Sequence, residues 1–372
     1  GWHQGHPWRV PCCLGKLRDV AERLMSNRVH WIVPGRLDQR TGGYIYDRRI
    51  IDGLRAQGWS VEVHELAGRF PQPDRTAIEA AGNVVEQTRG EHVLIDGLAL
   101  LAFADHMEKL TGRWVGLIHH PLSMETGLSS DTMAHLATLE GALMHRAAHL
   151  IVTSPGTRRD LAKFDIDPAR VSVVLPGVDR AAPARGAGED HPLALLTVGS
   201  LTRRKGHLTL LAALAKLRDH DWHLNLVGSA VWDPDHAAEI GRTIVDLGLG
   251  DRVSLLGEQN EAGLSRHYDG ADLFILASHH EGYGMVLSEA LARALPIVST
   301  TAGAIPETVP KAAGLLVPPG DPDALAQAIR SLITDPERYR RLADGAAKAR
   351  VSLQSWQESA RQFASLLERA AI

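Results

Sequence analysis

The sequence predicts an α/β protein of two Rossmann-like domains whose parallel sheets face a shared inter-domain cleft. Three observations carry that expectation. Short apolar runs recur along the chain with helical patterns between them, and buried strands alternating with helices assemble into parallel sheets. One compositional break, DRAAPARGAGEDHP from Asp179 to Pro192, has no periodic apolar face and reads as a linker. The length, 372 residues, exceeds what one core comfortably fills.

The runs fall evenly on either side of that break. Before it come Val29 to Val33, Val61 to Val63, His92 to Ile95, Trp114 to Ile118, Leu150 to Val152 and Val171 to Leu175. After it come Ala194 to Val198, His223 to Val227, Val253 to Leu256, Leu273 to Leu276, Ile297 to Ser299 and Gly314 to Val317. The expected organisation is an N-terminal extension over 1–27, a first domain over 28–178, the linker over 179–192, and a second domain over 193–351. A last helix over 352–372 carries Trp356, Phe363, Leu366 and Leu367 at helical spacing. Open parallel sheets bind ligands outside the carboxyl ends of their strands, so the cleft is where chemistry is expected.

Charge is nearly balanced, with 40 Lys+Arg against 44 Asp+Glu, and 44% of residues are hydrophobic. This composition describes a soluble globular protein and excludes an overall nucleic-acid-binding charge. No apolar run approaches the roughly 20 residues of a membrane helix, which leaves peripheral membrane contact as the only kind expected. The two cysteines, Cys12 and Cys13, are adjacent, fitting a reducing, cytoplasmic setting. The first 27 residues lack strand-like patterning and the apolar core of a signal peptide, and read as a tag remnant, an upstream-start extension or a short native helix over Lys16 to Met25. Oligomeric state leaves no mark in the sequence.

The segment SHHEGYGMVLSEALARALP, Ser278 to Pro296, is the most informative. A strand, a glycine turn (Gly282, Gly284) and a helix start form an anion site, because free N–H groups and the helix dipole point at the crevice. Glu281 and Glu289 flank it, eight positions apart. Two carboxylates beside phosphate alone would repel it, but ionised Glu accepts from hydroxyls. Phosphate together with hydroxyls is a nucleotide sugar. For Glu289 alone, complementing the helix dipole is an equally good reading.

Other candidates each have a plainer alternative. Gly42 and Gly43 precede a helix expected from about Tyr44 to Gln57 and allow close backbone approach to a ligand, or form an ordinary loop. Arg203, Arg204 and Lys205 in TVGSLTRRKGH suit a diphosphate, or a solvated basic turn. His119 and His120 end a strand, where a histidine bonds a hydroxyl, shuttles a proton or is simply structural. His279 and His280 are adjacent in a strand and would chelate poorly. The Asp-x-Asp pairs Asp233/Asp235 and Asp321/Asp323 stand before helices and read as caps rather than as ligands for a metal on a diphosphate.

From these residues the chain resembles the glycosyltransferases of family 4, retaining enzymes of GT-B fold. The resemblance rests on five elements in order: LPGVD (Leu175 to Asp179), VGSLTRRKGH (Val198 to His207), the Glu281 to Glu289 pair, GAIPETV (Gly303 to Val309) and GLLVPPGDPDALAQAI (Gly314 to Ile329). It implies His119, Lys205 and Glu281 as catalytic residues. Glu281 would hold hydroxyls of the transferred sugar, helped by the backbone of Gly284, Met285 and Val286 within a donor-binding run that also includes Gly282, Tyr283 and Leu287. Glu289 would take the ribose hydroxyls, and Gly257, Glu258 and Gln259 would meet the base through backbone. Lys205 would neutralise the diphosphate, with Gly42 and Gly43 approaching from the other domain; His120 is the alternative to His119.

The sequence also departs from the family. Ser200 stands where arginine is common, with Arg203 or Arg204 left to supply the charge. Arg293 and Ala294 replace a small residue and a glycine. The resemblance further implies transfer with retention and without a metal or other cofactor. The expected partners are a UDP-, GDP- or ADP-sugar and an unidentified acceptor, whose site would lie on the variable loops Phe70 to Asp74 and Leu122 to Met133. An epimerase on the same fold and a non-catalytic nucleotide-sugar-binding module are the alternatives. A nicotinamide-dependent oxidoreductase would need the glycine fingerprint G-x-G-x-x-G, which is absent after the first strand.

Overall fold

The structure is a computed structural model that describes residues 27–110, 114–127, 129–188 and 191–370. The expected N-terminal extension, with Cys12, Cys13 and the candidate helix, lies outside these residues apart from its last position.

Six strands form the first sheet: β1 (Arg28–Pro34), β2 (Ser60–Leu66), β3 (Val93–Asp96), β4 (Trp114–Ile118), β5 (His149–Val152) and β6 (Val171–Val173). The second sheet holds β7 (Leu193–Val198), β8 (Trp222–Val227), β9 (Val253–Leu255), β10 (Leu273–Leu276), β11 (Ile297–Thr300) and β12 (Gly314–Val317). All pairings are parallel. The strand orders are β2-β1-β3-β4-β5-β6 and β12-β11-β10-β7-β8-β9. Each order reverses once, between β1 and β3 and between β7 and β10, and such switch points open a crevice at the carboxyl ends.

The helices in chain order are α1 (Gly42–Ala56), α2 (Arg75–Gln87), α3 (Ser130–Arg146), α4 (Pro155–Leu161), α5 (His207–Ala215) and α6 (Pro234–Asp246). They continue with α7 (Glu261–Asp269), α8 (Met285–Ala292), α9 (Ile305–Thr308), α10 (Pro322–Thr334), α11 (Pro336–Ala349) and α12 (Trp356–Ala370). None of the described helices is long and apolar enough to cross a membrane.

Twelve expected strands are present, with end corrections that have physical causes. β2 extends well beyond Val61 to Val63; as an edge strand it carries polar residues on both faces, Glu62 and His64 on one and Glu65 on the other, and so no continuous apolar run. β6 stops at Val173 rather than Leu175; the Leu175 carbonyl instead accepts from Ser359 Oγ at 2.8 Å, at the start of α12. That helix begins at Trp356 behind a reciprocal cap, with Glu358 accepting from the Ser355 N–H at 2.7 Å and Ser355 Oγ accepting from the Glu358 N–H at 3.3 Å.

α12 returns to the first domain. Phe363 is fully buried and stacks on Trp31 of β1 with ring centroids 5.2 Å apart. Ala360 lies so close to Gly53 of α1 that any side chain there would collide with it. Helix α1 itself begins at Gly42, so the paired glycines form a first helical turn and not a loop.

Ala294, which stands where the resembled family has glycine, adopts φ 58°. The left-handed region costs a residue with a Cβ about 1–2 kcal/mol. Replacing it with glycine removes that strain against an unfolded-state entropy cost of about 0.4–1 kcal/mol. Ala294→Gly is therefore expected to raise stability by roughly 0.5–1 kcal/mol, read as a higher urea midpoint at unchanged slope.

Candidate functional site in the inter-domain cleft

The second sheet's switch point gathers two of the candidate segments. The turn Arg203–Lys205 follows β7 and Glu281 follows β10, the two strands that part at the second sheet's reversal. Gly206, at φ 67°, lets the turn fold so tightly that a side chain would strike the Ala277 carbonyl. Lys205 Nζ thereby reaches Glu281 Oε1 at 2.7 Å, Arg204 Nη1 lies 3.3 Å from Glu281 Oε2, and Ser278 Oγ donates to Oε1 at 2.6 Å.

Glu281 is 5% exposed. Burial pushes its carboxyl up, but Lys205 and Arg204 outweigh that and hold it down at about 2. Burial in turn pulls Lys205 below the ordinary lysine range against the opposing pull of Glu281.

The other domain closes on this cluster. Arg204 Nε lies 3.2 Å from Glu125 Oε1, whose second oxygen is 3.2 Å from His120 Nε2. Arg203 turns away to Glu239 of α6 at 3.3 Å. Of the two arginines, Arg204 is thus the one beside Glu281, while Ser200 lies two residues past β7 with its carbonyl accepting from the Thr202 N–H.

Gly282 sits so close to the His119 carbonyl that a side chain would run into it, and Thr157 Oγ1 bridges the Gly282 and His119 carbonyls at 3.1 and 3.3 Å. Glu307, in the GAIPETV segment, accepts from the Gly156 N–H at 2.8 Å and pairs with Arg159.

Two of the candidate residues of the first domain, His119 and Gly43, lie against each other. An added Cβ at Gly43 would be 3.3 Å from the imidazole, and one at Gly42 would be 3.8 Å from Met285 Sδ across the cleft. His119 also has two partners that the sequence reading missed. Its Nε2 lies 3.3 Å from Asp47 Oδ1 and 3.4 Å from Asp96 Oδ2. Asp47 is one helical turn after Gly43 and so shares its face; Asp96 ends β3 at the other switch point.

Burial disfavours the charged imidazole, yet the two carboxylates raise His119 to about 10. Burial, with Asp96 beside it, lifts Asp47 to about 7. Asp47, Asp96 and His119 are also close enough to hold a metal ion, although an imidazolium already supplies the positive charge that the carboxylates require.

Glu289 stands apart from this cluster. Tyr268 Oη donates to its Oε2 at 2.8 Å, and Arg293 lies over the Tyr268 ring, 4.6 Å from its centroid. Burial raises the Glu289 carboxyl, opposed by Tyr268 and Arg293. The arginine that departs from the family pattern therefore supports Tyr268 and the carboxylate behind it.

Gly284, at φ 83°, opens α8 and leaves its first N–H groups without a side-chain cap. Leu287 is buried beneath, and Ser288 Oγ donates to Tyr283 Oη at 2.9 Å. At Gly257–Gln259, Arg40 of the first domain donates to the Gln259 carbonyl at 3.2 Å and lies 3.6 Å from Glu258. Asp233 and Asp321 accept from backbone N–H groups of the helices that follow, as caps do.

Two α/β domains meeting at their strand ends, with the cleft between them, make the GT-B architecture. The chain belongs to the family 4 group of glycosyltransferases: the family described as Glycosyl transferases group 1 matches residues 181–349, and Glycosyltransferase Family 4 matches residues 91–182. Among curated relatives, the MMP alpha-(1->4)-mannosyltransferase of Mycolicibacterium hassiacum is 26% identical over 333 residues, covering 84% of this chain and 79% of that protein. The D-inositol 3-phosphate glycosyltransferase of Kineococcus radiotolerans is 34% identical over 241 residues, covering 57% of this chain and 54% of that protein. The match to the latter thus spans about half its length.

Among solved structures, sucrose-phosphate synthase from Thermosynechococcus elongatus superposes with a TM-score of 0.79 at 24% identity, covering 92% of this chain and 98% of that one. Anabaena HepE in complex with UDP and glucose gives 0.75 at 20% identity, covering 92% and 99%. These likenesses establish the fold.

The paired carboxylates make His119 an unusual histidine. Its raised value means that the stability it contributes is complete below about 6.5, the ordinary histidine value, and is lost as pH rises through about 10. Asp96→Asn is expected to lower the His119 value and to cost about 1–3 kcal/mol, the loss of one buried partner. Imidazole NMR titration checks the first and urea unfolding the second; a neutral His119 at pH 7.5 in the parent protein would contradict the assignment.

Proposed function

We propose that this protein is a retaining, metal-independent glycosyltransferase that moves a hexosyl group from a nucleotide-diphosphate sugar to an acceptor. The observation that carries this is the buried Glu281, held by Lys205, Arg204 and Ser278 beside the uncapped start of α8. A carboxylate has about four lone-pair sites, and three donors leave one free for a sugar hydroxyl. In support, Anabaena HepE, which shares the fold, crystallised in complex with UDP and glucose.

Under this reading the diphosphate settles against Lys205, Arg204 and the N–H groups at the start of α8, exchanging the contact that Arg204 makes with Glu125 for one with phosphate. Glu289, steadied by Tyr268, takes the ribose hydroxyls, and the segment Gly257–Gln259 meets the base. His119 approaches the donor sugar from the first domain. The acceptor hydroxyl attacks on the face from which the diphosphate departs, and a departing phosphate oxygen takes its proton. No side chain need form a covalent intermediate. The cations and helix start stabilise the charge that grows on the leaving group, and one such donor typically contributes about 2.7–4 kcal/mol.

UDP-, GDP- and ADP-sugars are distinguished by thermal shift, since a ligand bound to the native state alone raises apparent stability. With the donor so identified, Lys205→Ala and Glu281→Gln are expected to lose about 10²–10³-fold in turnover while remaining folded. Near-normal transfer by both would overturn the site. Isomerised nucleotide sugar without acceptor would instead favour the epimerase.

Exhaustive chelation with EDTA is expected to leave turnover unchanged within error. Loss of transfer on chelation, restored by added divalent ion, would contradict metal independence and point to Asp47, Asp96 and His119 as the ligands.

A further inference from the structure

A second cluster lies outside the cleft, on the edge of the first sheet. In the β1–β2 register His30 pairs with Glu62 and Ile32 with His64, so side chains at 30, 62 and 64 share one sheet face. That is the face toward α2, since Ile32 joins the core that contains Ala77, Ala81 and Val85, while Trp31 and Val33 pack on the side of α12.

The three side chains converge. His30 Nδ1 is 2.8 Å from His64 Nε2 and 3.6 Å from Glu62 Oε2, and His64 Nε2 is 3.9 Å from Glu62 Oε1. Tetrahedral zinc with ligand bonds of about 2.0–2.1 Å places its ligand atoms about 3.4 Å apart. The observed separations bracket that edge, so adjustments of about half an ångström and a turn of the Glu62 carboxylate complete three corners of a tetrahedron.

We propose that His30, Glu62 and His64 form a binding site for a divalent transition metal of the zinc class, clipping the edge strand β2 to β1. Two imidazoles and a carboxylate are the donor set such ions take. The nearby charges are Arg28, 3.0 Å from Glu62 Oε2, and Glu91, 3.5 Å from Arg28. Two carboxylates against one guanidinium leave the surroundings net negative, and Arg28 orients Glu62 as outer-shell partners orient metal-bound carboxylates.

Burial lowers both histidines from their ordinary value, which keeps them in the neutral form that ligates. Glu62 is half-exposed and gives the ion a way in. The site is separate from the proposed transfer chemistry and stands whether or not that reading holds.

Zn²⁺ titration by calorimetry, with metal analysis of the dialysed full chain, tests the proposal. The background is a variant with alanine at His3, His6, Cys12 and Cys13, which removes other soft ligands in the N-terminal segment. One equivalent of Zn²⁺ is expected to bind and to raise the melting temperature, and Co²⁺ should show the intense visible bands of tetrahedral coordination. His64→Gln and the surface change Glu62→Gln should each weaken binding at least 10-fold. Unchanged affinity in Glu62→Gln and His64→Gln, or no binding by the background variant, would overturn the site and leave a hydrogen-bonded histidine pair.

Discussion

The cleft is organised around one buried charge. Glu281 is nearly inaccessible, and a lone carboxylate there would carry a desolvation cost of several kcal/mol. Lys205, Arg204 and Ser278 make it tolerable, and each depends on the backbone that delivers it: Gly206 for the basic turn, Gly303 for the segment packed against the Glu281 backbone, and the switch point that sets β7 beside β10. Removing either cation leaves carboxylate charge unmatched, and removing Ser278 leaves Glu281 short of one hydrogen bond. This accounts for the density of glycine around the cleft, where carbonyls, side chains and backbone approach within contact distance.

The first domain answers with a charge arrangement of opposite composition. There a single imidazole is held by two carboxylates, Asp47 and Asp96, where the second domain has a carboxylate held by two cations. The two clusters are joined through Gly282 against the His119 carbonyl and through the ion pair of Arg204 with Glu125. The first contact is steric and holds while the domains stay close. The second can be exchanged for a ligand anion, since each partner keeps another: His120 for Glu125 and Glu281 for Arg204. The cleft is thus rigid at its base and exchangeable where charge would enter.

Much of this was legible in the sequence because it follows from local pattern. Central strands such as β3 and β10, buried at every residue, announce themselves as apolar runs, and Glu281 sits at a strand end beside turn-forming glycines. The edge strand β2 shows only a short apolar run because Glu62 and Glu65 reach solvent from opposite faces. What could not be read were partners set by topology. Tyr268 lies within α7 with no local cue that it would support Glu289, and Asp47 looks like any helical carboxylate until the fold brings His119 to it. Asp96 does carry a signal, as an acidic residue ending an otherwise apolar strand. The choice between Arg203 and Arg204 likewise depended on which way a three-residue turn faces.

The most direct test of the account is a crystal structure with a bound nucleoside diphosphate. The diphosphate is expected within hydrogen-bonding distance of Lys205, Arg204 and the first N–H groups of α8, with the ribose hydroxyls on Glu289 and the Arg204 contact to Glu125 exchanged for phosphate. A diphosphate bound elsewhere, with the ion cluster around Glu281 and Glu125 unchanged, would contradict it.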